Sequence, residues 1–339
     1  MTTYIIWNNK GGTGKTSLAF QLVAEWALQH PERRVLAVDL CPQANLSELL
    51  LGGLVGGGGT NLQALFTGPK RRSIGGYFQE RLPSPFQLPP GLRLADFVCT
   101  PQTNNRRIPP NLDLLAGDPV VELQSNAIAA LANTLIPGTN TWLSIIDWVR
   151  DILTPSAAYD DVFIDANPSF SMYTQIAIAS AHRLILPATA DDSSRRGIHN
   201  AFSLVYGVHL TSTIYQQHAF STRLTSQGRH LPLTHLIVKN RLTQYMGPAS
   251  AYASVLSGMD ADIGGLLQSN PNLFTFSRAA DGLAEVRDFQ TTGVVAFAEG
   301  APFRHLSPGT HSIAGQSIKI NGEYLQNCRD AINAIVARL

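Results

Sequence analysis

A glycine-rich loop joins the first predicted strand of this 339-residue chain to its first predicted helix. The strand is Thr3–Asn8 (TYIIWN), the helix is Thr16–Gln29, and the loop between them includes Lys-Gly-Gly-Thr-Gly-Lys. Glycines allow the tight turn that points several backbone N–H groups at one phosphate chain, and the helix N-terminus adds a positive dipole. A phosphate-binding loop requires this context. A glycine-rich turn without a ligand is the alternative, and it leaves the coincidence of these elements unexplained.

The residue types within the loop predict individual roles. Lys15 supplies a positive charge for the β- and γ-phosphates of a nucleotide, and the hydroxyl of Thr16 is a candidate ligand of Mg²⁺. Asn9 stands where the motif usually has its first glycine, and Asn also tolerates left-handed backbone. The candidate phosphate contacts are Lys10, Gly11, Gly12, Thr13, Gly14, Lys15, Thr16 and Ser17.

Short apolar runs alternate with helical patterns along the chain. Further predicted strands are Arg34–Leu40, Leu112–Leu115, Asp161–Ile164, Arg183–Leu186, Leu233–Val238 and Leu273–Phe276. Predicted helices lie near Pro119–Leu135, Trp142–Leu153, Ser171–Ala181 and Ser193–Val205, and a last one runs from an Asn321 cap to Arg338. This alternation predicts an α/β fold, a doubly wound and mostly parallel sheet with helices on both faces. We expect residues 1–339 to form one domain.

Two segments interrupt the alternation. Residues 45–160 are long for a single crossover, and they contain a glycine-rich run at 52–59 and a proline- and arginine-containing stretch, Lys70–Pro110. We predict that residues 68–110 are an insertion that lies over the sheet rather than a separate domain. The second segment, Gly207–Leu231, is polar and rich in histidine, and long loops of this kind are often functional.

Composition excludes several classes of protein. Lys+Arg 25 against Asp+Glu 24 gives a net charge of +1, which excludes a strongly basic nucleic-acid protein but not a local basic patch. Hydrophobic residues make up 44%, enough for a large core. Three cysteines without a common spacing fit a reducing cytosol, and the N-terminus does not resemble a signal peptide. The uncharged stretch Leu123–Ile146 is broken by polar residues and Pro137, so we expect no membrane span.

The segment Lys10–Thr16 (KGGTGKT), with a second lysine before the two glycines, resembles the deviant Walker A motif of the ParA/MinD family of partition and positioning ATPases. In that family two monomers sandwich two nucleotides, and the signature lysine crosses to the phosphates bound by its partner. The resemblance implies an ATP-bound homodimer of a P-loop fold, in which Lys15 acts in cis and Lys10 acts in trans like an arginine finger. A solvated lysine beside the loop is the alternative reading of Lys10.

Two further segments extend the resemblance. Val38–Asn45 (VDLCPQAN) is similar to the switch I of the family, and Asp161–Ser169 (DVFIDANPS) is similar to its Walker B and switch II segment. Asp39 and Asp165 stand at the ends of predicted buried strands, where a ligand of Mg²⁺ or of its water belongs. Either Asp could instead cap the following turn. The likeness covers about residues 3–240, with the insertion after switch I unmatched.

Cys41 departs from the family, which carries a second switch I aspartate here to orient the attacking water. A thiol is a weak hydrogen-bond acceptor with an ordinary pKa near 8.5. Losing one such positioning group costs on the order of a hundredfold in rate, so we expect slow or partner-dependent hydrolysis. Alternatively, Cys41 packs as a small apolar residue while another group positions the water. The catalytic candidates are Lys10, Lys15, Asp39 and Cys41, and the metal candidates are Thr16, Asp39 and Asp165.

Asn240 ends a late predicted strand, and the matching family segment brings an asparagine to the adenine base. The resemblance therefore makes Asn240 the base-contact candidate, although a polar residue that satisfies a turn is the alternative. Pro302 and Phe303 are further candidates for the adenine pocket by the same analogy.

The remaining polar clusters leave alternatives open. Arg195 and Arg196 could contact DNA phosphates or a dimer partner, or could lie on a solvated helix face. Lys70–Arg72 and Arg106–Arg107 could form one phosphate-binding patch or a mobile charged loop. The histidines at 199, 209, 218, 230 and 235 lack metal-site spacing. The last helix lacks the lysines and aromatic residues of a membrane-surface anchor, so no membrane partner is expected.

The resemblance implies an ATP- and Mg²⁺-dependent dimer that binds nonspecific DNA, responds to a cargo-side activator protein, and segregates or positions DNA or another cargo in the cytoplasm or on the nucleoid. Two alternatives remain: a positioning ATPase for a protein cargo, and a nucleotide switch that recruits an effector with near-background turnover. Because the phosphate loop begins at the ninth residue, we expect no preceding sequence-specific DNA-binding module.

Overall fold

An eight-stranded sheet forms the centre of the computed structural model, which describes residues 1–154, 158–242 and 249–339. Its strands are β1 (Thr2–Ile6), β2 (Val35–Leu40), β3 (Val98–Cys99), β4 (Leu112–Leu115), β5 (Asp161–Ala166), β6 (Arg183–Thr189), β7 (Leu233–Leu242) and β8 (Leu283–Arg287). Their order is β3-β4-β2-β5-β1-β6-β7-β8, and every neighbouring pair is parallel except β3–β4. The predicted doubly wound α/β sheet is confirmed.

Helices cover both faces of the sheet. They are α1 (Lys15–Gln29), α2 (Asn45–Leu50), α3 (Gly58–Thr67), α4 (Ile74–Arg81), α5 (Val120–Ala132), α6 (Thr141–Ile146), α7 (Trp148–Leu153), α8 (Met172–Ser180), α9 (Asp192–Tyr206), α10 (Thr213–His218), α11 (Phe220–Thr225), α12 (Ala249–Ser269), α13 (Ala279–Gly282), α14 (Gln290–Glu299) and α15 (Gly322–Val336). An antiparallel hairpin of β9 (Gly309–Ile313) and β10 (Gln316–Ile320) lies between the last two helices.

The central strands β1, β2, β5 and β6 are mostly apolar because both of their faces are buried. Ile5 and Trp7 pack into a core with α4 to α9, α11 and α12, whereas Tyr4 and Ile6 pack into a second core with α1, α2, α14 and α15. Alternate side chains of a strand point to opposite faces, so a continuous apolar run serves both cores at once.

One predicted strand is wrong. Residues 271–273 form a 3₁₀ turn, and only Phe274 makes a bridge, to Thr234 of β7. The rings of Phe274 and Phe276 pack on each other, 5.1 Å apart, so the apolar run at Leu273–Phe276 fills the core as side chains without forming a ladder. The eighth strand comes later, at β8, with alternating burial.

Residues 68–110 contain α4, two 3₁₀ turns and the edge strand β3. Three of the five basic residues of the predicted patch pair with carboxylates: Lys70 with Asp96, Arg71 with Asp118 and Arg107 with Glu299. The charge of these three is therefore neutralised, which leaves only Arg72 and Arg106 of the predicted patch without a carboxylate among the described residues.

Candidate functional site

The phosphate loop lies where β1 ends and α1 begins, as the sequence predicts. Gly12 and Gly14 have φ of 76° and 79°, in the left-handed region that L-residues rarely adopt. A Cβ at Gly14 would also lie 2.4 Å from Nδ2 of Asn240. Glycine is therefore required at residue 14 by both its backbone conformation and the space around it.

Lys15 is folded into its own loop. Its Nζ donates to the carbonyl of Lys10 at 2.9 Å, and the residue is only 7% exposed. Burial lowers the pKa of Lys15, while the nearby Asp165 and Cys41 act in the opposite direction. The buried ammonium of Lys15 therefore lies among backbone N–H groups with only part of its charge balanced. An anionic ligand would stabilise this arrangement.

Lys10 is held by its own chain. Its Nζ lies 2.7 and 2.8 Å from the two carboxylate oxygens of Asp191, 2.9 Å from Oγ of Ser194 and 3.2 Å from Oγ1 of Thr189. Lys10 is therefore not the free, solvated lysine of the alternative interpretation. Burial alone would raise the pKa of Asp191, but the hydrogen bonds from Lys10, Thr189, Ser193 and Ser194 outweigh it and hold that pKa well below its usual range.

Asp39 and Asp165 are register partners on the neighbouring strands β2 and β5, and both are buried. Asp39 accepts hydrogen bonds from the N–H of Cys41 at 3.1 Å and from the N–H and hydroxyl of Ser47 at 2.9 and 2.8 Å. It therefore closes the turn into α2, which is the alternative that the sequence left open. Both oxygens of Asp165 lack a hydrogen-bond partner among the described residues.

The electrostatics of this pair are unfavourable in the absence of a cation. Burial raises the pKa of Asp39 to about 6, although hydrogen bonds from Ser47 and Cys41 oppose the shift. Burial, and then the charge of Asp39, raise the pKa of Asp165 to about 8, while the Thr16 hydroxyl and Lys15 act in the opposite direction. A buried carboxylate with two unpartnered oxygens beside a hydroxyl fits the oxygen ligands that Mg²⁺ prefers.

A divalent cation would need further ligands at Asp165. Within the described residues, no group of three or more His, Cys, Asp or Glu side chains converges on one point. The remaining oxygens would therefore come from Thr16, from a bound nucleotide and from water, which is how Mg²⁺ is commonly held beside phosphates.

Cys41 follows β2 and is half-buried. Burial, reinforced by the charge of Asp39, raises the pKa of the Cys41 thiol to about 12. The thiol is therefore neutral at physiological pH and is a weak acceptor for a water molecule.

Asn240 and Arg241 brace the phosphate loop from the end of β7. The buried Asn240 donates from Nδ2 to the carbonyl of Thr13 at 2.9 Å, and the guanidinium of Arg241 donates to the carbonyl of Gly12 at 3.1 Å. Asn240 thus contacts the phosphate loop and also lines the cavity beside it. The sequence did not indicate Arg241, whose φ of 59° no local pattern reveals.

A cavity of about 780 Å³ opens beside the loop, within the size range of small-molecule sites. It starts at Gly14 and Ser17 and extends between the end of α2 and the start of α14. Its apolar walls come from Leu54, Phe289, Val294 and Phe297. Phe303 does not line it, since the Phe303 side chain is buried against Phe289 with the ring centroids 4.7 Å apart.

The glycine-rich run at 52–59 lets the turn after α2 lie against the end of α14. Gly53 has a φ of 61°, and a Cβ there would lie 2.5 Å from the carbonyl of Phe297 and from the N–H of Gly300. The N–H of Val55 donates to the carbonyl of Ala298 at 2.7 Å. This close approach brings Leu54 to the cavity wall, a role that the sequence did not indicate.

Arg195 and Arg196, at the start of α9, both form ion pairs within the chain. Arg195 pairs with Asp262 of α12 at 2.8 Å, and Arg196 pairs with Asp192 one turn away.

In the described parts of the chain, no helix combines the length and apolar character needed to cross a bilayer.

Comparison with known proteins agrees with these features. Residues 4–149 match the CobQ/CobB/MinD/ParA nucleotide binding domain. The chromosome partitioning protein ParA of Myxococcus xanthus (strain DK1622) is 30% identical over 197 residues, which are 56% of this chain and 53% of that protein. The chain thus spans about half the length of this curated relative.

Two solved structures share the fold. A McdA variant of Cyanothece in complex with ATP gives a TM-score of 0.61 at 15% identity, covering 99% of this chain and 96% of that one. A plasmid partition protein of Borrelia burgdorferi B31 bound to AMPPNP gives a TM-score of 0.55 at 14% identity, covering 100% and 99%. Both matches agree with the predicted fold.

Proposed function

We propose that this chain is an ATPase of the ParA/MinD family that dimerises on ATP and Mg²⁺ and positions or segregates a cargo on nonspecific DNA. One observation carries the proposal. Lys15 of the phosphate loop lies near Asp165, a buried carboxylate whose oxygens are unpartnered among the described residues, and the second lysine of the loop, Lys10, is paired with Asp191. Nucleoside triphosphate with a divalent cation would satisfy Lys15 and Asp165 together.

The loop amides and Lys15 would receive the phosphates, and Thr16 and Asp165 would hold Mg²⁺. When bound, the cation neutralises charge on the phosphate oxygens. Lys15 gives up its hydrogen bond to the Lys10 carbonyl in order to reach a phosphate. The apolar cavity walled by Leu54 and Phe289 is of a size to take the base and ribose.

A slow ATPase follows from the neutral thiol at residue 41. Because Cys41 is a weak acceptor and Asp39 is occupied by Ser47 and the Cys41 N–H, neither is free to orient an attacking water. The ATP-bound dimer would then be long-lived, and a cargo-side partner would set the rate of its turnover.

A second candidate is a positioning ATPase or nucleotide switch that acts on a protein partner without DNA. The pairing of the basic clusters favours it, since Lys70, Arg71 and Arg195 are each bound to a carboxylate of the same chain. Nonspecific DNA binding depends on free cations that release counterions from the phosphates.

The deciding experiment measures ATP turnover and dimerisation together, with and without a nonspecific duplex at two salt concentrations. A Lys10→Ala variant tests the lysine that would act in trans. We expect an ATP-dependent dimer that Lys10→Ala abolishes, with DNA binding that weakens steeply as salt rises. A dimer indifferent to DNA favours the second candidate. No ATP-dependent dimer at all would refute both.

A further inference from the structure

A second cavity lies between residues 132–142, which join α5 to α6, and the short helix α11. It has a volume of about 570 Å³, and among its lining residues are Leu135, Ile136, Trp142 and Arg223. Arg223 belongs to the polar segment 207–231, which the proposed nucleotide chemistry does not use. The cavity does not adjoin the nucleotide site described above, since the two share no lining residue.

Arg223 is the only charged residue that lines this cavity, and it has no counter-ion among the described residues. Its guanidinium carbon lies 4.2 Å from the centroid of the Trp142 ring, and burial lowers its pKa with no carboxylate to oppose the shift. Stacking on the indole stabilises the cation from one side only. The N–H groups of the planar guanidinium remain available in its own plane, where a carboxylate binds best.

Two other half-buried arginines of this chain, unlike Arg223, have a carboxylate partner. Arg33 donates to Asp161, and Arg229 donates to Asp147. Because a half-buried guanidinium without an acceptor is costly, an unpaired Arg223 indicates that its acceptor comes from another molecule.

The surroundings of Arg223 point to a protein as the source of that acceptor. Leu135 is 96% exposed and Ile136 is 38% exposed on the same cavity, so a ligand would bury apolar surface as well as a charge. Trp142 is itself buried, and its indole N–H has no acceptor among the described residues. A phosphate or a free small acid would leave the two aliphatic side chains exposed.

Trp142 is a fixed platform for this contact. Its ring meets Phe220 edge-on with centroids 6.1 Å apart, and Phe220 meets Phe170 in the same way at 5.7 Å. Such edge-to-face pairs hold each ring in one orientation, so the stacking surface beneath Arg223 is formed before a partner arrives.

We propose that this cavity docks a segment of a partner protein that presents a carboxylate beside an apolar side chain. The carboxylate pairs with the guanidinium of Arg223, and the apolar side chain covers Leu135 and Ile136. The proposal goes beyond the nucleotide function and does not depend on it, because docking requires neither ATP nor dimerisation.

The test selects peptides from a random phage-displayed library on the full chain without nucleotide. Selected peptides are synthesised, and their Kd values are measured by fluorescence polarisation on four proteins: wild type, Arg223→Gln, Arg223→Lys and Leu135→Ser. Arg106→Gln is the matched control, since Arg106 is an exposed arginine outside this cavity. Leu135 is almost fully exposed, so its replacement tests docking without disturbing the core, and thermal melting verifies folding of every variant.

We expect selected peptides to carry Asp or Glu next to Leu, Ile, Val or Phe. Their affinity should fall about tenfold or more with Arg223→Gln, as for the loss of a charged hydrogen bond, and by a smaller factor with Arg223→Lys and Leu135→Ser. Replacing the peptide acid by its amide should cost a similar factor, and Arg106→Gln should change nothing.

Four outcomes would overturn the proposal: no enrichment, enrichment of peptides without acids, equal binding to wild type and Arg223→Gln, or no loss with Leu135→Ser. Two parallel measurements identify other occupants. If Arg223→Gln abolishes binding of a 20-base-pair duplex, the cavity takes nucleic acid instead. If it abolishes self-association of the nucleotide-free chain, the occupant is a second copy.

Discussion

Replacing Asp191 by Asn should strengthen ATP-driven dimerisation, because Asp191 holds the lysine that dimerisation would require. Both carboxylate oxygens of Asp191 lie within 2.8 Å of Nζ of Lys10, on the same chain. A lysine cannot donate to its own Asp and reach a phosphate on a partner subunit at once. Each chain of a dimer must therefore break this ion pair first.

The size of the effect follows from exposure. The side chains of Lys10 and Asp191 are 26% and 46% exposed, so solvent screens the pair and its contribution is about 1 kcal/mol. Two pairs break per dimer, which gives about 2 kcal/mol, or roughly a 30-fold lower dimer Kd for Asp191→Asn. Asn is as good a helix N-cap as Asp, so α9 should keep its start and the chain its fold.

Sedimentation velocity across a concentration series with ATP and Mg²⁺ measures the dimer Kd. The matched control is Asp192→Asn, which removes a carboxylate from the same helix start without touching Lys10. We expect Asp191→Asn to tighten the dimer, Asp192→Asn to leave it unchanged and Lys10→Ala to abolish it. If Asp191→Asn weakens the dimer as Lys10→Ala does, Asp191 orients the lysine for the dimer and the reasoning is wrong.

Three further outcomes follow from the site. Cys41→Asp should raise steady-state phosphate release about tenfold or more, because it restores a water-orienting acceptor, while Cys41→Ser, which adds no charge, should not. Since native pKa values of about 6 for Asp39 and about 8 for Asp165 exceed the ordinary value, the native state binds more protons than the unfolded state, and stability without ligand should fall as pH rises from about 4 to 8. Thermal melts of Asp165→Asn at several pH values should show a smaller fall in stability with pH. If stability falls as steeply with pH as in the wild type, Asp165 is not the group responsible. Gly53→Ala should destabilise the chain by about 2 kcal/mol or more through a left-handed backbone and a backbone clash, whereas Gly57→Ala, left-handed but in open space, should cost about 1 kcal/mol in denaturant unfolding.

Local patterns in the sequence predict the fold and the phosphate loop because the signals for both lie in residues that are neighbours in the chain. The run from Thr3 to Gln29 contains an apolar strand, a loop with glycines and lysines, and an apolar helix in that order, and the structure keeps the order. Strand ends also place Asp39 and Asp165 at one edge, since parallel strands share the direction in which they end.

Local patterns cannot predict which distant residues contact the site. Asp191 lies 181 positions from Lys10, and nothing in either segment indicates the other. The cavity wall formed by Leu54 and Phe289 arises because the glycine-rich turn packs against α14, a contact between segments more than two hundred residues apart. The wrong strand at 273–276 has the opposite cause, since a short apolar run does not distinguish a ladder from side chains packed in a core.

The site as a whole holds charges in arrangements that only a ligand resolves. Asp165 is buried without a partner in the described chain, Lys15 turns back on its own loop, and Lys10 is bound to Asp191. Each arrangement costs stability or occupies a group that the proposed chemistry requires. Triphosphate and Mg²⁺ would reverse the first two within one chain, whereas the proposed trans role of Lys10 would exchange the third for the phosphates of a second subunit. In the proposed mechanism, nucleotide binding and dimerisation are therefore separable steps, and the ion pair between Lys10 and Asp191 opposes the second.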